Sequence, residues 1–110
     1  MRKGWHILYE DGAVTVARRL PVRFDVRAET VLPMARKTRL AQQIRQDVWR
    51  ALQRVRGFAP IVRVTEMKPD LHVIAGGQMQ GPVSKDHIEA KIQGVLDDVR
   101  KRERWVRWAQ

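Results

Sequence analysis

Cysteine is absent from the chain. That rules out disulfide scaffolds, thiolate zinc sites, iron–sulfur clusters and thiol nucleophiles. Long apolar runs are absent too: none approaches the roughly 18–20 residues of a membrane-spanning helix. Arg2 and Lys3 give the start a charge, but no apolar stretch of signal-peptide length follows, so no Sec signal is expected. A cytoplasmic location and no membrane partner are the expectation. Internal repeats, low-complexity tracts and linkers are also missing. At 110 residues the length suits one domain, and an apolar share of 44% is ordinary for a globular chain rather than a disordered one.

Acidic residues are scarce. Against 22 Lys and Arg stand 12 Asp and Glu, a formal net charge of +10. The excess is segregated. Residues 34–57 hold seven basic groups and one acidic, and residues 100–110 hold five and one. Residues 58–99 hold four basic and six acidic groups. Clustered positive charge attracts polyanions and speeds encounter with them. Sixteen of the 22 cations are arginine, whose planar fork suits phosphates and base edges. Codon bias accounts for the arginine preference equally well, but not for the clustering.

Hydrophobic patterning supplies the elements. Strands are expected near 5–10 and 13–19, joined by Asp11 and Gly12 in a hairpin turn with positive φ at both positions. Val22, Phe24 and Val26 alternate with Arg23, Asp25 and Arg27, which predicts a half-buried strand over 22–28. Pro33 suits a first helical turn. Leu40, Ile44, Val48, Ala51, Leu52 and Val55 then fall on one face of a helix over 34–56, closed by Gly57. Segments 60–66 and 71–75 read as a second hairpin around Lys68, Pro69 and Asp70. Gly76, Gly77, Gly81 and Pro82 read as a flexible connection to an N-cap at Ser84. Ile88, Ile92, Val95, Leu96, Val99 and Val106 predict a second long helix over 85–108. The order ββ-β-α-ββ-α implies a single α+β domain: a mostly antiparallel sheet with two long helices packed on one face.

Two surfaces stand out as candidates. Opposite the apolar stripe of the first helix lie Arg36, Arg39, Gln43, Gln46, Arg50, Gln53 and Arg54, with Asp47 as the only acid in the segment. An ordinary exposed face mixes acids with bases, because such pairs support the helix. This face offers donors, which suit phosphates, guanine edges and adenine edges. Solvation alone, or an acidic protein partner, explains it too. The second surface is the C-terminal run of Arg100, Lys101, Arg104, Trp105, Arg107 and Trp108. Both tryptophans project away from the helix stripe, as rings that stack on bases would. Packing against the N-terminal hairpin, or a homodimer contact, is the other reading for them. Trp49 is expected to finish the core.

Other chemistry is poorly supported. The glycine-rich approach to Ser84 fits neither a Walker loop nor a dinucleotide fingerprint, so it reads as a strand-to-helix turn. His6, His72 and His87 lack ligand spacing. Asp25 and Glu29 share a face with Arg23 and Arg27, which suits a salt-bridge ladder better than a catalytic pair. No cofactor, metal or catalytic activity is expected. The sequence therefore points to a small basic nucleic-acid-binding domain, for DNA or RNA. The alternative is a structural or adaptor protein that docks an acidic partner or self-assembles, as in a phage-like particle.

Overall fold

The computed structural model describes residues 4–81 and 84–110. Arg2, Lys3 and Pro82, used in the sequence reading, lie outside them. A five-stranded, wholly antiparallel sheet has the order β1-β2-β4-β5-β3. Its strands are β1 (His6–Glu10), β2 (Ala13–Ala17), β3 (Val26–Pro33), β4 (Ala59–Met67) and β5 (Asp70–Gln78). Three helices complete the α+β fold: α1 (Lys37–Leu52), α2 (Lys85–Asp97) and α3 (Val99–Trp108).

Strand register assembles the core. Val16 faces Val62, Val62 faces Ala75, and Ala75 faces Ala28, so one row of small and branched side chains crosses four strands. A second row runs through Val14, Val64, Val73 and Thr30. Leu40, Ala41, Ile44, Val48 and Leu52 of α1, with Ile88, Ile92, Val95 and Leu96 of α2, are buried in the same core. The 3.6-residue period of the helices meets the two-residue period of the strands, and each buries the other. On the opposite sheet face, Arg63 donates to the Thr15 hydroxyl at 3.1 Å and stands over the Phe24 ring. The connection between β2 and β3 therefore crosses that face, and Ala17 and Ile61 are buried there.

Four local expectations are corrected. The strand predicted over 22–28 begins only at Val26 and runs to Pro33, so Pro33 ends a strand rather than starting a helix. Pro33 has no N–H to donate, which an edge strand tolerates. The hairpin at Asp11–Gly12 is present, but only Gly12 has positive φ, at 72°. Gly76 and Gly77 belong to β5 and are not a loose connection. A Cβ on Gly76 would stand 1.9 Å from the Val26 carbonyl oxygen, and one on Gly77 would stand 2.3 Å from that of Ala59. The glycines are there because neighbouring backbone passes too close for a side chain.

The single helix predicted over 85–108 is two helices broken at Asp98. Asp98 adopts extended backbone (φ −69°, ψ 113°), and its carboxylate accepts the Lys101 N–H at 3.0 Å. That is an N-cap: the side chain satisfies a first-turn donor and starts a new helix. Donation by that N–H, and by the Lys101 ammonium, holds the Asp98 carboxyl below its ordinary range. The break resets the helical phase, so that Trp105 turns into the core instead of away from it.

The outer edge of β3 is closed by side chains. Glu89 of α2 accepts the Arg27 N–H at 2.8 Å. Gln93 donates to the Glu29 carbonyl at 3.2 Å, and Arg102 donates to that of Val31 at 2.7 Å. Arg27, Glu29 and Val31 alternate along the strand, so three of the backbone groups a further strand would use are already taken.

Candidate nucleic-acid interface

Helix α1 carries most of the candidate residues. Leu40, Ile44, Val48 and Leu52 fix its inner face, which forces Arg39, Gln46, Trp49, Arg50 and Gln53 outward. The one acid, Asp47, points inward. Its Oδ2 accepts the indole N–H of Trp105 at 2.7 Å and also a donor of Arg104, while Arg50 lies 3.6 Å from Oδ1. Asp47 is buried, so the outward face of α1 shows donors and one aromatic ring, and no carboxylate.

A groove of about 410 Å³ runs between α1 and α3, lined by Gln43, Gln46, Asp47, Arg50, Arg104 and Trp108. Lys101 lies in an adjoining cleft with Arg50 and Arg104. The two surfaces read separately from the sequence thus meet along one seam. Trp108 is 65% exposed and its ring borders the groove. Gln43 is partly spent, donating to the Trp105 carbonyl at 3.2 Å.

Other expected residues do not join this seam. Trp105 is fully buried, so it is part of the core and not a stacking platform. The expectation that it projects from the fold is corrected; the break at Asp98 is the reason. Arg36 is the N-cap position of α1, and its backbone N–H donates to the Ala109 carbonyl at 2.7 Å. Arg39 is exposed toward the start of α1, while Gln53 and Arg54 are exposed at and past its end. Arg100 is exposed on the first turn of α3. Arg107 lines a different, apolar groove with Leu32, Pro33 and Val106.

The opposite flank of α1 holds residues the sequence reading did not select. Trp5, Arg18, Arg19, Arg45, Trp49 and Phe58 line a cavity of about 360 Å³. The Arg45 guanidinium stands 4.4 Å from the Trp5 ring centroid, and that of Arg18 stands 5.4 Å from it, both within cation–π range. Trp49 is 46% exposed, so it borders this cavity rather than finishing the core. The four-residue step from Arg45 to Trp49 was the available signal, since it puts both on one flank of the helix.

Other charged side chains pair with one another. Arg23 pairs with Asp25 at 2.8 Å and Arg27 with Glu29 at 2.9 Å. His72 meets the other oxygen of Glu29 at 2.8 Å. Hydrogen bonds from Arg23, and from the Met79 backbone, hold the Asp25 carboxyl below its ordinary range. Those from Arg27 and His72 do the same for Glu29. Among the described residues no group of three His, Asp or Glu is placed to hold a metal ion, and no helix is long and apolar enough to cross a membrane. Comparison with known proteins gives no match: no family model, curated protein or solved structure resembles this chain closely enough.

Proposed function

We propose that this protein is a nucleic-acid-binding domain that works by contact and not by catalysis. One observation carries the reading: the outward face of α1 bears Arg39, Gln46, Trp49 and Arg50, and the only acid of the helix is turned inward. A solvated helix face gains from acids among its bases. A face that must approach phosphates loses affinity with every carboxylate it displays. Arg50, Lys101 and Arg104 along the seam would follow a phosphate backbone, Gln46 would reach base edges or sugar, and the exposed Trp108 ring would stack. The net charge of +10 supplies long-range attraction.

The test is binding of labelled single- and double-stranded DNA and RNA at two salt concentrations. If about six cations meet duplex phosphates, the log–log salt slope is close to −5, from about −0.9 per phosphate. Protein prepared without nuclease should carry nucleic acid that leaves at high salt, read from its 260/280 nm absorbance ratio. A clean protein with no oligonucleotide affinity, running as a defined oligomer, would favour the adaptor reading instead.

A further inference from the structure

From the cavity on the outer flank of α1 we infer a pocket for one unpaired nucleotide, which makes the partner single-stranded; this rests on the nucleic-acid reading above. The cavity joins three ring systems, Trp5, Trp49 and Phe58, to three guanidinium groups, Arg18, Arg19 and Arg45. No carboxylate lines it among the described residues. At about 360 Å³ it lies at the small end of ligand-site volumes, which run from about 300 Å³ upward. Aromatic walls with a cationic rim suit a flat ring carrying an anion, and a nucleotide is such a group.

The two tryptophans have different tasks. Trp5 is buried, with Arg45 and Arg18 close to its ring, so it forms the fixed base of the pocket. Trp49 is half exposed on the outward flank of α1, where a base can reach it. Arg18 and Arg19 are exposed at the mouth, immediately after β2, where a phosphate would lie. A strand lying along Gln46 and Arg50 has this pocket on one side and Trp108 on the other. A paired base cannot enter: it is stacked on both faces and bonded along its edge, and extruding it has a free-energy cost. A base in a single strand is free to turn in.

The test compares a fluorescein-labelled single strand of about a dozen nucleotides with its duplex at one salt concentration. The proteins are the wild type, Trp49→Leu and Arg19→Ala, with melting temperatures recorded for all three. The inference expects the wild type to hold the single strand about ten-fold more tightly or better. Trp49→Leu should weaken single-strand binding at least about five-fold, the lower value of one base stacked on a ring. Arg19→Ala should weaken the single strand in the same direction with an unchanged melting temperature. Equal affinity for the two forms, or unchanged single-strand affinity in both folded variants, overturns the pocket and leaves the nucleic-acid reading standing. No binding of either form by the wild type overturns both.

Discussion

The carboxylate of Asp47 accepts the indole N–H of Trp105 at 2.7 Å, fully inside the protein. This bond ties the middle of α1 to the last turns of the chain. It also turns the helix's only negative charge inward, so the outer face stays free of acid. Trp105 packs with Ala109 in the same core that α1 and the sheet share.

The first prediction concerns stability. Trp105→Ala should cost about 3–5 kcal/mol, the usual loss for a large aromatic removed from a core. For a domain of this size that lowers the melting temperature on the order of 10–20 °C. Asp47→Ala should cost roughly 1–3 kcal/mol, since it leaves a buried indole N–H without an acceptor. Thermal unfolding followed by circular dichroism measures both. A Trp105→Ala melting point within about 2 °C of the wild type would remove the C-terminal helix from the core.

Arg102 is expected to behave as a structural residue despite its place in a basic run. Its guanidinium donates to the Thr30 hydroxyl at 2.6 Å, the Leu96 carbonyl at 2.9 Å and the Val31 carbonyl at 2.7 Å. Lysine keeps the charge but has no planar fork to serve three acceptors at once. Arg102→Lys should therefore destabilise by about 1–3 kcal/mol and leave oligonucleotide affinity within two-fold. Chemical denaturation and anisotropy on one preparation separate the two effects.

Gly76→Ala should be more damaging than its size suggests. The new methyl would meet the Val26 carbonyl oxygen and the Arg27 Cα, both backbone atoms that cannot swing aside. β3 would have to move away from β5. Loss of cooperative unfolding, or recovery only as insoluble protein, is the expected outcome. A soluble variant with wild-type stability would mean that β3 does not pass so close.

These cases mark what the sequence could reveal. The inner stripe of α1 was legible because Leu40, Ile44, Val48 and Leu52 keep helical spacing without interruption. Both hairpins were legible from their turn residues and branched flanks. The helix break at Asp98 was not, because the apolar stripe continues across it through Val99 and Val106. Only the capping geometry of one aspartate reveals the change of phase. An unbroken helix puts Trp105 off that stripe, which leaves base stacking and packing against the rest of the fold both open from the sequence. The pocket around Trp5 and Trp49 was hidden differently. Its residues come from four separate parts of the chain and converge only when the approach to β1, the end of β2, α1 and the approach to β4 are packed together.

The pH dependence of stability follows from three carboxylates. Asp25, Glu29 and Asp98 are each held below their ordinary ionisation range by hydrogen-bond donors of the folded chain. A carboxyl depressed on folding adds stability above its unfolded value, and that stability is lost as the pH falls through the folded one. For Asp98 the decline begins near its ordinary value of 3.8 and continues below it. The melting temperature should thus be level from neutral pH to about 5 and fall below about 4. Asp98→Asn keeps a capping oxygen but cannot titrate, so its curve should lie below the wild type at pH 7 and converge with it in acid. Parallel curves down to pH 2.5 would remove Asp98 from the acid response.

The last prediction separates binding from folding on the outer face of α1. Arg39, Arg50 and Arg54 are exposed, and among the described residues only Arg50 has an acidic neighbour, Asp47 at 3.6 Å. Exposed substitutions of this kind usually change stability by no more than about 0.5 kcal/mol each. Changed together to alanine, they should leave the melting temperature nearly as it was. Affinity for single-stranded oligonucleotide should fall by an order of magnitude or more. The salt slope offers an independent check on the same protein. Each phosphate contact removed from a single strand should flatten the log–log slope by about 0.7, so the triple variant should be flatter by about 2. A loss of affinity with an unchanged slope would mean that these arginines act on bases or on another part of the protein. A retained affinity with a retained slope, in a folded triple variant, would move the phosphate path off α1 altogether, to the arginines of α3 and the mouth of the Trp5–Trp49 pocket.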